Sequence, residues 1–141
     1  MREIKFRGFS KEMNKWCVGD LVSRPKPYIV GEMLESNEEY CNLEFWRPVE
    51  PESVGQFTGL KDKLGKEIYE GDICRIRSVD DEGQFVDDWK NCKIWFCKGQ
   101  FITDYYGFPV HYFFREKSEI EVIGNIYEHP ELLKEEEPCH G

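Results

Sequence analysis

Short runs in which polar and apolar residues alternate recur along this chain, and they predict β-strands. Residues 3–7 alternate with a period of two, which places Ile4 and Phe6 on one face, toward a core. Comparable runs, bounded by turn-forming residues, predict strands at residues 14–23, 28–30, 42–49, 73–78, 92–98 and 120–127. The pattern therefore predicts a mainly β protein built from short antiparallel strands.

Three stretches depart from simple alternation. Residues 32–40 are polar and predict an excursion that contains one helical turn. Residues 101–114 are the most aromatic part of the chain and predict two strands separated at residues 107–109. Pro130 suits the first turn of a helix, so a short C-terminal helix is predicted at residues 131–137.

Residues 56–72 are dense in turn-forming residues. Gly59, Gly65 and Gly71 are candidate reversal points, because glycine reaches positive φ without steric cost. Leu64 disfavours a two-residue turn, so we expect a type I turn over residues 62–64 with Gly65 left-handed in a bulge. The charged residues around this turn are too polar for a core: Lys61, Asp62, Lys63, Lys66 and Glu67.

The predicted elements fall into two parts. Pro51, Glu52 and Ser53 predict a loop between an N-terminal β subdomain at residues 1–50 and a second subdomain at residues 51–133, followed by an acidic tail at residues 134–141. In the second part, short strands separated by glycine-bearing turns predict a small, partly open barrel of the SH3-like kind. A fold of this kind implies no function.

Four motifs follow one another along nearly the whole chain. They are REIKFRGF at residues 2–9, WCVGDL at residues 16–21, VGQFTGLKDKLGKEIYEGDI at residues 54–73, and VIGNIYE with PELL at residues 122–128 and 130–133. In content and order they resemble the YopX family of phage and prophage proteins. The resemblance implies a small, mainly β protein, encoded by a phage or prophage and located in the cytoplasm of its bacterial host, with no established activity. Leu64 and the cysteine-bearing tail depart from the family pattern.

The charge balance limits the classes of partner. The chain carries 19 basic and 28 acidic residues, a formal net charge of −9, which opposes a general nucleic-acid-binding surface. An acidic domain of this kind can bind basic protein surfaces or imitate the phosphate charge of DNA, although most acidic proteins are merely soluble. The alternative is a local face for single-stranded nucleic acid, formed by Arg75, Arg77, Lys93, Trp95 and Lys98. The competing interpretation of these cations is cross-strand ion pairing with the abundant carboxylates.

Two residue clusters have the chemistry of metal ligands. Zinc could be bound by Cys92, Cys97, Cys139 and His140, but positions 92 and 97 point to opposite faces of a strand because their separation is odd. Calcium or magnesium could be bound by Asp80, Asp81, Glu82, Asp87 and Asp88, but contiguous carboxylates are typical of a solvated loop. The sequence therefore predicts no metal and no cofactor.

The six cysteines do not predict a disulfide framework. The N-terminus lacks the pattern of a signal peptide, and no stretch reaches the length of a transmembrane helix. Reduced thiols in a cytoplasmic protein are expected instead. His111 could act as a general base, but no serine or cysteine nucleophile can be assigned to it, so no catalytic residue is predicted.

The aromatic content is the best functional clue. Ten Phe, seven Tyr and four Trp residues exceed the needs of one small core, and a surplus of aromatic side chains often marks a protein interface. We expect this interface at Tyr105, Tyr106, Phe108, Tyr112 and Phe113. The sequence therefore predicts a binding or accessory module that is not an enzyme and that self-associates through this interface as a homo-oligomer. A host or phage protein is the alternative partner.

Overall fold

The chain divides into two compact units, Met1–Phe57 and Thr58–Gly141. The computed structural model describes residues 3–86, 88–115 and 118–134. The loop expected at residues 51–53 is a turn of 3-10 helix, Pro51–Ser53, within the first unit. Among the described residues, no helix has the length and apolar character needed to cross a membrane.

The first unit is built on antiparallel strands. They are β1 (Phe6–Ser10), β2 (Lys15–Val22), β3 (Tyr28–Val30), β4 (Met33–Ser36), β5 (Cys41–Leu43) and β6 (Trp46–Pro48). Four of them pair in the order β6-β3-β2-β1, and the start of β7 (Gly55–Lys61) pairs with the other edge of β1. Phe6 packs against a small core of Cys17, Ile29 and Val49. Ile4 is 52% exposed, so its predicted inward position is wrong.

The second unit contains the remaining elements. After the end of β7 come β8 (Glu67–Tyr69), β9 (Asp72–Arg77), β10 (Lys90–Cys97), β11 (Gln100–Thr103), α1 (Tyr112–Arg115), β12 (Glu119–Asn125) and α2 (Glu131–Lys134). Four strands form an antiparallel sheet in the order β11-β10-β9-β12. The predicted mainly β class with a short C-terminal helix is confirmed, and the described strands form open sheets without closing into a barrel.

The core of the second unit follows the alternation of its strands. On β9, Cys74 and Ile76 are fully buried, whereas Arg75 and Arg77 lie on the opposite face, as alternation along the strand predicted at residues 73–78 requires. The cluster around this buried face is completed from the other strands, the 105–110 segment and α1, by Ile68, Cys92, Ile94, Tyr105, Val110, Phe113 and Ile120.

Gly124 allows α2 to lie close to β12. A Cβ atom at this position would lie 2.8 Å from His129 Nδ1 and 3.0 Å from Leu132 Cδ1, closer than packed atoms tolerate. The pairing of β12 with β9 shifts register between Val122 and Gly124. The C-terminal segment therefore packs against the strand where a side chain is missing.

The hairpin between β7 and β8 has the predicted turn. The Gly65 N–H donates to the Asp62 carbonyl at 3.0 Å, the Asp62 N–H donates to the Lys66 carbonyl at 2.7 Å, and Gly65 has a φ of 87°. This is a type I turn closed by a left-handed glycine.

The prediction that Asp62 is too polar for a core is wrong, because its side chain is only 6% exposed. Its Oδ1 atom accepts hydrogen bonds from the N–H groups of Leu64 at 2.9 Å and Lys66 at 2.8 Å. Its Oδ2 atom accepts one from the N–H of Val122 on β12, at 2.9 Å. Three backbone donors satisfy the carboxylate, which removes the usual penalty for burying it.

Two predicted elements differ from the structure. The aromatic stretch forms β11 and then α1 in place of a second strand, because Val110 and Phe113, three residues apart, both enter the core as in a helical turn. Residues 32–40, where a helical turn was predicted, contain β4 and the turn to β5. The Asn37 side chain closes that turn by accepting hydrogen bonds from the N–H groups of Glu39 and Tyr40.

We expect Asp62→Ala to lower the free energy of unfolding by about 3 kcal/mol, because three backbone N–H groups lose a buried acceptor. Urea denaturation measures this loss. The matched control is Asp80→Ala, which removes an exposed carboxylate that also accepts two backbone N–H groups, at a cost of about 1 kcal/mol or less. Equal losses in the two variants would contradict the role assigned to Asp62.

Candidate binding groove

A groove in the second unit collects several of the predicted interface residues. Its volume is about 520 Å³, within the range of small ligand sites. One side is formed by the loop after β9 and the other by the segment between β11 and α1. We call this site the aromatic groove; it is lined by Ser78, Val79, Asp80, Asp81, Val86, Tyr105, Tyr106, Phe108 and Tyr112.

The loop on the first side is held by its own hydrogen bonds. The Asp80 Oδ1 atom accepts the N–H groups of Glu82 and Gln84, each at 2.9 Å. The Val86 N–H donates to the Ser78 carbonyl at 2.9 Å, and Val79 and Phe85 form a β-bridge. This arrangement leaves Val86 58% exposed in a groove that Asp81 also lines.

The aromatic side is held by Thr103. Its N–H and its hydroxyl both donate to the Phe108 carbonyl, at 2.9 and 3.0 Å, and its hydroxyl oxygen accepts the Tyr105 N–H at 3.0 Å. Rings of this segment contact one another, with centroids of Phe108 and Tyr112 4.6 Å apart. The segment therefore presents a preformed aromatic surface.

The five residues predicted as an interface have different environments. Tyr105 and Phe113 are 3% and 1% exposed and contribute their rings to the core. Phe108 and Tyr112 are half-buried along the groove, and Tyr106 is 65% exposed. The accessible aromatic surface thus consists of Tyr106, Phe108 and Tyr112. Val79 and Val86, which the sequence did not suggest, add apolar surface to the groove.

Tyr106 combines an unusual backbone conformation with a polar contact. Its φ is 54°, a value that residues other than glycine seldom adopt. The Lys90 Nζ atom donates to its hydroxyl at 3.0 Å and lies 4.7 Å from its ring centroid. Tyr106 thus lines the groove with a largely exposed ring that is held in contact with Lys90.

The predicted basic face contains cations that already have partners. Arg75 donates to Glu121 at 2.9 Å, and Arg77 donates to Glu119 at 2.7 Å. Both pairs are directly opposite in the register of β9 and β12, as the ion-pair interpretation predicts. Lys63 Nζ lies 3.0 Å from Glu119 and 3.2 Å from Glu121.

Trp89 extends this network, although sequence reasoning did not single it out. Its ring centroid lies 4.2 Å from the Arg75 guanidinium, 4.4 Å from that of Arg77 and 5.2 Å from Lys63 Nζ. Stacking on an aromatic face suits the weakly hydrated guanidinium group. The cluster consists of Lys63, Arg75, Arg77, Trp89, Glu119 and Glu121, and we call it the ion-pair network.

The other residues of the predicted basic face lie on or after β10. Lys93 Nζ is 5.4 Å from the Trp95 ring centroid, and both positions have the parity that places them opposite the buried Cys92 and Ile94. Lys98 is in the turn to β11, with a φ of 51°. The structure therefore brings four of the five residues to one face of the sheet, where the arginines are paired with glutamates.

The candidate metal ligands are dispersed. Cys92 is buried and Cys97 is half-buried at the end of β10, whereas Cys139 and His140 lie outside the described residues, as does Asp87 of the acidic group. Among residues 3–86, 88–115 and 118–134, no three His, Cys, Asp or Glu side chains are grouped as a metal site requires. His111 is exposed, immediately before α1.

The ion-pair network predicts a dependence of stability on pH. Hydrogen bonds from Arg77 and then Lys63 lower the pKa of Glu119, and the bond from Arg75 chiefly lowers the pKa of Glu121. Since these pKa values are lower in the folded than in the unfolded chain, the stabilisation is present above about pH 4.3 and is lost as the pH falls through the folded values.

We therefore expect the double variant Glu119→Gln/Glu121→Gln to lose less stability than the wild type between about pH 5 and pH 3. Urea denaturation over a series of pH values measures the two slopes. The matched control is Glu38→Gln/Glu39→Gln, at exposed positions, which should retain the wild-type slope. If the free energy of unfolding falls equally with pH in the wild type and in Glu119→Gln/Glu121→Gln, the prediction is contradicted.

Comparisons with known proteins agree with the motifs and the fold. The family model described as YopX protein matches residues 5–134, which confirms the resemblance found in the sequence. No curated protein matches the chain at a significant level. A crystal structure of protein EF1440 from Enterococcus faecalis is similar over 94% of this chain and 99% of that chain, with 23% sequence identity and a TM-score of 0.58; this likeness shows the fold alone. Because the family match extends over most of its length, the chain belongs to the YopX protein family.

Proposed function

We propose that this protein acts by binding, without catalysis, and that its aromatic groove holds an apolar and basic segment of another protein. The observation that supports this proposal is the groove itself, in which Tyr106, Phe108 and Tyr112 face a loop that carries Asp80 and Asp81. Aromatic rings provide contact area at low entropic cost, which is why they are common in protein interfaces. The carboxylates favour a lysine or arginine side chain beside the apolar contact.

The charge of the whole chain supports the same class of partner. A net charge of −9 attracts a basic surface and raises its association rate. It opposes a second copy of the same chain, which would place two carboxylate-lined grooves or two acidic surfaces near each other. We therefore favour a different protein over self-association, and the test below distinguishes the two.

A nucleic-acid partner is the alternative, and the ion-pair network is the argument against it. Binding to phosphates depends on cations that displace counterions. Here the guanidinium groups of Arg75 and Arg77 are 2.9 and 2.7 Å from carboxylate oxygens, and a phosphate would have to replace those partners. The resemblance to phage and prophage proteins supports a partner in the cytoplasm of a bacterial host.

We expect Asp81→Lys to weaken binding to the partner by about tenfold or more, which corresponds to about 1.4 kcal/mol, because it reverses the charge beside the groove. The measurement is a nuclease-treated pull-down from bacterial host lysate with tagged protein, followed by calorimetric titration of the purified prey. Asp20→Lys makes the same charge change at an exposed site on β2, outside the groove. It should bind nearly as well as the wild type.

Equal weakening by the two charge reversals would contradict the assignment of the groove. Prey that is lost on nuclease treatment would favour the nucleic-acid alternative. Native mass spectrometry that shows a dimer disrupted by Asp81→Lys would identify a second copy as the occupant.

Tyr106→Asn tests the aromatic side, since asparagine tolerates the positive φ of this position. Loss of the exposed ring should also weaken binding by about tenfold, with little change in thermal stability, because the side chain is largely outside the core. Phe96→Asn removes another ring, 49% exposed and outside the groove, and is the matched control. Undiminished affinity of Tyr106→Asn would exclude this ring from the interface.

A further inference from the structure

Cys74 and Cys92 lie directly opposite each other on adjacent strands. The register of β9 and β10 pairs their Cα positions, and residues paired in this way project their side chains to the same face of a sheet. Both side chains belong to the core cluster of the second unit, with exposures of 0% and 3%. Two thiols are therefore neighbours in a closed, apolar environment.

The spacing of paired strands meets the requirement for a disulfide. Directly opposed residues in an antiparallel pair have Cα atoms about 4.5 or 5.5 Å apart, depending on their hydrogen bonding. Disulfides join Cα atoms about 4.4–6.8 Å apart. The spacing of the two paired strands is therefore compatible with the bond. Among the other described cysteines, Cys17 and Cys41 belong to the first unit, and Cys97 is paired with Gln100.

We propose that Cys74 and Cys92 form a modification site at which a peroxide produces a cross-strand disulfide. The thiolate of one cysteine attacks the O–O bond of hydrogen peroxide, which breaks to give a sulfenic acid and hydroxide. The sulfur of the second cysteine then attacks the sulfenic sulfur, the S–S bond forms, the S–O bond breaks and water leaves. The hydroxide takes up the proton that the first thiol lost on ionising and becomes the second water, so that two thiols are oxidised to one disulfide and one peroxide is reduced to two waters.

Hydrogen peroxide is the appropriate oxidant because the pair is buried. A molecule little larger than water reaches a core site through small local openings, whereas a bulky disulfide reagent requires separation of the strands. The reaction is therefore selective for small peroxides.

The bond would close a loop that contains one side of the aromatic groove, since residues 78–86 lie between the two cysteines. Closing a loop restricts the unfolded chain and the local opening of the segment it encloses. An effect on binding rests on the proposed function, whereas formation of the disulfide does not. A failed binding test would leave the disulfide unaffected, and the reverse also holds.

The test is to treat the folded, fully reduced wild-type protein with hydrogen peroxide, remove the peroxide, unfold the protein in urea with iodoacetamide present so that all remaining thiols are alkylated, and map the peptides by mass spectrometry. We expect a cross-linked peptide pair containing Cys74 and Cys92, lighter by two hydrogen atoms than the two reduced peptides. The oxidised protein should unfold at a higher urea concentration than the reduced protein, and dithiothreitol should reverse both changes.

Cys92→Ser is the matched control, because it retains one thiol at the site and removes the partner. It should show no cross-link at Cys74 and no peroxide-dependent gain in stability. The proposal is overturned if Cys74 and Cys92 of the folded wild type are recovered as separate alkylated peptides when the exposed Cys41 is fully oxidised. It is also overturned if Cys74 is found cross-linked to a cysteine other than Cys92.

Discussion

The second unit depends on the satisfaction of one buried carboxylate. Asp62 accepts two backbone hydrogen bonds within its own turn and a third from Val122 on β12. Without this side chain, the N–H groups of Leu64, Lys66 and Val122 would have no acceptor at a site that water reaches poorly. A single residue thus both shapes the β7–β8 hairpin and joins it to the edge of the four-stranded sheet, where Lys63 N–H also donates to the Ile120 carbonyl at 3.2 Å.

This connection determines which charges are available on the surface. With β12 held at the edge of β9, Glu119 and Glu121 lie opposite Arg77 and Arg75, and Lys63, next to Asp62, reaches both glutamates. The cations Lys63, Arg75 and Arg77 are therefore already paired with carboxylates inside the unit. The groove combines the Tyr106 ring with the carboxylates of Asp80 and Asp81. This combination suits a basic protein segment better than a phosphate backbone.

The sequence predicts those features that the local pattern of residues determines, such as which face of a strand is buried and where a turn lies. Alternation on β9 correctly places Arg75 away from the core, and the turn at Gly65 follows from glycine's access to positive φ. Such reasoning does not predict features that depend on contacts between residues far apart in the sequence. The carboxylate of Asp62 is buried because β12 supplies a donor 60 residues away. The groove needs the loop at residues 78–81 to meet the 105–112 segment, and no local pattern encodes that meeting. The second strand predicted in the aromatic segment was wrong because a dense run of apolar residues is compatible with both the strand period and the helix period.

The most direct test of this account is amide hydrogen exchange at Val122. Its N–H points away from β9 to the Asp62 carboxylate, on an edge strand where an unpartnered amide would exchange rapidly. We expect this amide to exchange as slowly as the amides of the central strand β9, through global unfolding. Exchange as rapid as that of Glu38, in the exposed turn between β4 and β5, would contradict the central role of Asp62.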